Sequence, residues 1–185
     1  LQHNKELQIH SDVKDSDRVF YFTTCGWMMW NWLVGALSSG ATILLFDGFP
    51  MYKKDDLLFE FASEENATLF GVSAKYIDML NNNLVVPKNK HDLSKLRTIC
   101  STGSPLSKDG FNYIYNNVKK DVHLSSISGG TDIVIGGGPL VKETTSVSHP
   151  PFVGVQVQIG QFNVAQGAKI GRWLGGLLIH YFVDA

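Results

Sequence analysis

Apolar residues in this chain come in short blocks, and their spacing alternates between a period near two and one near three and a half. Residues 17–23 (DRVFYFT) are β-branched and aromatic and predict a strand. Residues 27–38 predict a helix, closed by Gly40 just past its end. Residues 41–46 (ATILLF) predict a second buried strand, and Asp47-Gly48-Phe49-Pro50 carries turn chemistry. Asp55 or Asp56 stands where it can cap a helix running to about Asn66, with Leu57, Leu58, Phe61 and Ala62 on one face. Residues 67–72 (ATLFGV) predict a third strand, and Ser73 caps the following helix, whose Tyr76, Ile77 and Leu80 face inward. A polar loop over 81–90 leads to one helical turn over 91–96 and a fourth strand over 97–100. Ser107 caps a helix carrying Phe111, Ile114, Tyr115 and Val118, and 122–127 predict a fifth strand. Strand and helix in alternation imply an α/β fold, a mainly parallel sheet with flanking helices and right-handed crossovers.

Beyond residue 133 the texture changes. Half of the 18 glycines lie there, with few charges, while Val155, Val157 and Ile159 alternate with Gln156 and Gln158. The chain therefore divides into an α/β core over 1–133 and a β-rich segment over 134–185. One run tests the reading as a soluble globular chain: residues 19–46 carry no charge, which is long enough to span a membrane. Thr23, Thr24, Asn31, Ser38 and Ser39 interrupt it and Gly26, Gly35 and Gly40 divide it. It reads as buried strand, buried helix and buried strand, with a membrane span as the alternative.

Charge and composition narrow the partners. The net charge is -1, and the 16 basic residues are scattered, which argues against nucleic acid. Cys25 and Cys100 are isolated, so a reducing, cytoplasmic compartment without a disulfide framework is expected. The six histidines are too dispersed for a zinc site.

In an open parallel sheet, ligands bind beyond the carboxyl ends of the strands. That rule selects the segments after each strand, and two of them are unusual: Ser101-Thr102-Gly103-Ser104-Pro105 and Ser128-Gly129-Gly130-Thr131-Asp132. Small side chains, hydroxyls and bare backbone let a flat or anionic group approach the main chain. Asp132 beside a phosphate would act through a bridging Mg²⁺; without one it is a turn residue. Trp27, Met28, Met29, Trp30 and Trp32 line either an apolar pocket or a helix core. The chain contains neither G-x-x-x-x-G-K-[ST] nor G-x-G-x-x-G, and no G-x-S-x-G elbow.

Three segments, Thr23-Thr24-Cys25-Gly26-Trp27-Met28-Met29-Trp30-Asn31-Trp32, Ser101-Thr102-Gly103-Ser104-Pro105-Leu106 and Ser126-Ile127-Ser128-Gly129-Gly130-Thr131-Asp132, together closely resemble acetoacetyl-CoA synthetases. These belong to the adenylate-forming ligases, which include the acyl-CoA synthetases. The similarity runs over about 10–133, and 67–80 and 91–100 share it. It implies ATP, Mg²⁺, coenzyme A and acetoacetate or a similar short acid as the small molecules handled. By this resemblance Gly103, Ser104 and Pro105 border the adenine, and Ser128 and Gly130 complete the nucleotide contacts. Thr131 bonds the α-phosphate, Asp132 holds the metal, and Trp27, Met28 and Met29 line the acyl pocket. Gly129 stands where the related acetyl-CoA synthetases have tryptophan, which implies room for a longer acid. The resemblance also implies that the family's phosphate loop, its ribose-binding Asp, its hinge and its C-terminal domain with the catalytic lysine lie outside these residues. On that expectation the chain alone is inactive, and the rest of the same enzyme is its partner. The resemblance ends at Ile133, with a faint echo of the superfamily's β subdomain in 146–150, 154–159 and 176–179. The alternatives are a non-catalytic nucleotide-binding remnant and another short-chain acyl-CoA synthetase.

Overall fold

A computed structural model of the chain describes residues 2–127, 129–130 and 135–136. Its centre is a five-stranded sheet of β1 (Arg18–Tyr21), β2 (Thr42–Leu44), β3 (Leu69–Ser73), β4 (Thr98–Thr102) and β5 (His123–Ser126). The spatial order is β2-β1-β3-β4-β5 and every pairing is parallel. The uncharged run 19–46 is resolved as strand, helix and strand. No helix among the described residues is long and apolar enough to cross a membrane.

Side-chain alternation gives the sheet two buried faces. Phe20, Phe70, Val72, Ile99 and Leu124 point to one of them. Covering them are α3 (Leu57–Glu64), α4 (Ala74–Asn82) and α5 (Lys108–Tyr113), the last continued by a π-helical turn Ile114–Val118. Val19, Tyr21, Leu69 and Cys100 point the other way, onto α2 (Met28–Gly35) and its 3-10 extension Ala36–Ser39. Gly40 ends this unit at φ +78°, as its place in the sequence required. A helix the sequence reading left unassigned, α1 (Gln2–Asn4, continued by the π-helical turn Lys5–His10), adds buried Leu7 to the same layer.

Several boundaries differ from expectation for local reasons. The helical turn expected over 91–96 is a tight turn instead: Asp92 Oδ1 accepts the Ser94 amide at 2.9 Å and Leu93 O accepts the Leu96 amide at 3.1 Å. In α3, Phe59 lies inward with Leu58 and stacks on Phe70 at 4.6 Å between centroids, while Leu57 and Phe61 are half-buried. In α5 Tyr113 joins Ile114 and Val118 in the core, while Phe111 and Tyr115 pack half-buried against it. Ser73 caps α4 as predicted, accepting the Tyr76 amide at 3.2 Å, and Ser107 caps α5 by accepting the Gly110 amide at 3.0 Å.

Asp56 stands at the N-cap of α3 but its side chain does not cap. It is buried, and Oδ2 takes Lys90 Nζ at 3.0 Å and His91 Nε2 at 3.1 Å, tying the start of α3 to the loop before β4. Burial works to raise its pKa, yet the bonds from Lys90 and His91 outweigh it and hold the carboxyl below its ordinary 3.8. A depressed folded pKa contributes stability above the unfolded value and loses it as pH falls through the folded one. Asp56→Asn is therefore expected to cost about 1–3 kcal/mol at pH 7 in urea unfolding. That difference should shrink as the pH drops below 3.8. A pH-independent difference would show that geometry, not charge, is lost.

Candidate functional site

The strand order contains one topological switch point. From β1 the chain crosses by α2 on one face to β2; from β3 it crosses by α4 on the opposite face to β4. In sheets of this kind the two departures mark the carboxyl ends of β1 and β3 as the usual ligand position. Around it lie the segment 22–27, Ser73 at the end of β3 and Gly103 just beyond β4.

Each wall has an identifiable cause. After β1, Phe22 stays tied to the sheet by donating to Gly71 O at 2.8 Å, and Trp27 closes a turn onto Thr24 O at 3.1 Å. This turn leaves Thr24, Cys25 and Gly26 exposed and delivers Trp27 in extended conformation to start α2. Met28 and Met29 are buried on the face that α2 turns to the sheet, with Trp27 half-buried beside them. Trp27 and Trp32 meet Tyr21 edge-on, at 6.4 and 5.9 Å between centroids.

The second wall starts later than expected. Ser101 and Thr102 are the last residues of β4, fully paired with Val72 and Ser73, so the loop proper begins at Gly103. Gly103 adopts φ +90°, a conformation L side chains rarely take, and a β-carbon there would meet only Ser73 Cβ at 3.9 Å. Gly103, Ser104 and Pro105 are exposed beyond the end of β4. Below them Thr102 Oγ1 donates to Ile127 O at 2.9 Å and the Ile127 amide donates to Ser101 O at 2.7 Å, which fixes the exit of β5 against β4. Leu106 N donates to Ser126 Oγ at 3.2 Å from the other side.

Gly129 and Gly130 were read as loop. They form β6 (Gly129–Gly130), which pairs antiparallel with β7 (Ile135–Gly136), and β7 lies against α1 and α2. Ser128, Thr131 and Asp132 lie outside the described residues. Trp27, Met28, Met29 and Ile127 thus share one layer, and Gly103, Ser104 and Pro105 share the adjoining edge. Tyr21 lies opposite Gly71 on β3, so its ring packs over a position without a side chain, a pairing that only the register reveals.

Cys25 and Cys100 are both free thiols, the first exposed and the second buried. Burial pushes Cys100 up to about 12, so it is a neutral thiol and no nucleophile at ordinary pH. Among the described residues, no three His, Cys, Asp or Glu side chains come together to hold a metal ion.

A doubly wound parallel sheet with its switch point between β1 and β3, and an exposed Gly/Ser/Pro segment beyond β4, is an α/β architecture whose ligands usually sit at those strand ends. Comparison with known proteins names the class. A model of the family "AMP-binding enzyme" matches residues 2–158, and the chain belongs to that family. It is 48% identical over 162 residues to an acetoacetyl-coenzyme A synthetase of Rhizobium meliloti (strain 1021), a match covering 86% of this chain and 25% of that protein. It is 42% identical over 152 residues to a malonamoyl-CoA synthetase of Penicillium aethiopicum, covering 75% of this chain and 21% of the relative. A solved acetoacetyl-CoA synthetase from Streptomyces lividans superposes with a TM-score of 0.70 at 39% identity, over 75% of this chain and 22% of that one. The chain thus spans about a quarter of the length of the curated relatives it matches. The family match continues to residue 158, past Ile133, over 146–150 and 154–158, where only a faint superfamily echo was expected.

Proposed function

We propose that this chain is the central part of an ATP-dependent acid–CoA ligase that activates acetoacetate through an acyl-adenylate. One observation carries the choice of acid. The Rhizobium relative is named for an acetoacetyl product and the Penicillium relative for a malonamoyl product. Both acyl groups carry a carbonyl on the third carbon and differ only in a methyl against an amino group. A pocket common to such relatives serves 3-oxo acids of that size.

In the reaction, a carboxylate oxygen of the acid attacks the α-phosphorus of ATP, and the bond to pyrophosphate breaks. The thiol of coenzyme A then attacks the acyl carbonyl and AMP leaves. Positioning and charge stabilisation account for most of the rate in such steps. Gly103, Ser104 and Pro105 serve as the adenine edge in this reading, supported by their exposure beyond β4 and by the bare backbone of Gly103 at φ +90°. Trp27, Met28, Met29 and Gly129 serve as the acyl wall. Ser128, Gly130 and Thr131 serve the phosphates, and Asp132 would hold Mg²⁺, which would neutralise charge on the phosphates. Two free thiols suit a reducing, cytoplasmic setting. The α/β core over 1–133 is one side of the site, and the rest of the enzyme supplies the other.

The test is exchange of labelled pyrophosphate into ATP by the full-length protein, dependent on added acetoacetate. Exchange that needs acetoacetate and magnesium is the expected result. ATP binding without exchange for any short acid would favour a non-catalytic nucleotide-binding remnant.

A further inference from the structure

The sheet face under α2 carries polar groups that the fold itself does not use. By alternation Tyr21, Ser73, Cys100, Thr102 and Ser125 all point to this side. Ser73 is engaged as the cap of α4, and Thr102 is engaged on Ile127 O. Tyr21 Oη, Trp32 Nε1 and Ser125 Oγ are buried and have no hydrogen-bond partner among the described residues. Tyr21 is 2% exposed and Trp32 1%. Folded proteins rarely leave such donors unmatched, because water was given up to bury them.

The two rings lie together, 5.9 Å between centroids at 73°. Register explains how the phenol reaches inward. Tyr21, Gly71, Cys100 and Ser125 form one row across the sheet. Gly71 has no side chain, so the Tyr21 ring crosses β3 in van der Waals contact with its backbone and heads toward Cys100. This row lies two residues below the Ser73–Thr102 pair at the strand ends. On α2, Trp32 follows Met28 by four residues and Met29 by three, so it lies on the same face one turn deeper.

We infer that Tyr21 Oη and Trp32 Nε1 form the polar floor of the acyl pocket and select acids that carry a carbonyl on the third carbon. This rests on the ligase reading above. The indole N–H can only donate. The phenol also stays a neutral donor, since burial first, and Cys100 beyond it, push its pKa well above 10. Two neutral donors in apolar surroundings match a ketone or amide oxygen. They disfavour a second carboxylate, whose burial without a cation is costly.

The test compares kcat/KM for acetoacetate and butyrate, which has a methylene in place of the carbonyl, in the full-length protein and in Tyr21→Phe and Trp32→Phe. The unsubstituted protein should prefer acetoacetate. The acetoacetate-to-butyrate ratio should fall about tenfold or more in Tyr21→Phe and fall also in Trp32→Phe, with malonamate following acetoacetate. Tyr21→Phe should melt no lower than the parent, because the hydroxyl it removes has no partner among the described residues. A ratio unmoved within about twofold in both variants, no preference in the parent, or a markedly lowered melting point for Tyr21→Phe would each overturn the inference while leaving the ligase reading intact. Absence of acid-dependent exchange in the parent would instead remove the ligase reading, and this inference with it.

Discussion

Gly71→Ala is expected to lose about 2–3 kcal/mol of stability, although by strand propensity alone alanine would gain about 0.5–1. The added β-carbon would lie 2.1 Å from Tyr21 Cδ2, 2.3 Å from Cε2 and 2.6 Å from Cγ. Neither side can yield cheaply. The backbone of Gly71 is paired with Tyr21 on β1 and with Cys100 on β4, so a shift would break two ladders. The Tyr21 ring is held between Trp27 and Trp32 and is almost fully buried. Overpacking of this kind usually costs 1–3 kcal/mol, and three ring atoms inside contact distance put this case at the upper end. For a chain of 185 residues that is a melting point lower by about 5–12 °C. Pairing Gly71→Ala with Tyr21→Leu should recover part of the loss, which a double-mutant cycle would show as coupling of opposite sign. Equal melting of Gly71→Ala and the parent would refute the close approach.

The alternation of apolar blocks was enough to predict five strands, their helices and a parallel sheet, because each block carries its own period and its own stop. What escaped it depends on distance in space. Asp56 reads as a helix cap in sequence, and only folding brings Lys90 and His91 to compete for its carboxylate. Ser101 and Thr102 read as loop because they are small and polar, yet they are ladder residues, paired on one side with β3 and held by Ile127 on the other. The glycine pair at 129 and 130 reads as a turn, and it is strand because Ile135 and Gly136 come back to meet it. The Tyr21 floor is the extreme case. Its chemistry needs a glycine fifty residues away in register, and nothing in the local pattern distinguishes it from its neighbours Phe20 and Phe22. Gly103, Ser104 and Pro105, by contrast, stand out as small and polar residues at a strand end; the adenine role proposed for them, and the acyl-wall role proposed for Trp27, Met28 and Met29, come from the resemblance and not from residue type.

Gly129→Trp is expected to lower kcat/KM for acetoacetate by about a hundredfold or more while leaving acetate use far less affected. A single methylene of misfit in an apolar pocket is worth about 10–200-fold, and an indole displaces more than that. The backbone should tolerate the change. Gly129 pairs with Gly136 in an antiparallel ribbon, where an aromatic residue is at home. Ile127, two residues upstream, belongs to the layer of Met28, Met29 and Trp32, so bulk entering from this strand exit narrows the same space from the opposite wall. Unchanged acetoacetate use would sink the assignment of Gly129 to the acyl wall. Read beside Tyr21→Phe, the result separates two kinds of selection. A closed wall excludes acetoacetate and butyrate alike, because it acts on size. A lost phenol spares butyrate relative to acetoacetate, because it acts on the third-carbon oxygen. If size were the whole of the specificity, Gly129→Trp would move both acids and Tyr21→Phe would move neither; if the polar floor also selects, the two variants should leave different fingerprints on the same pair of acids.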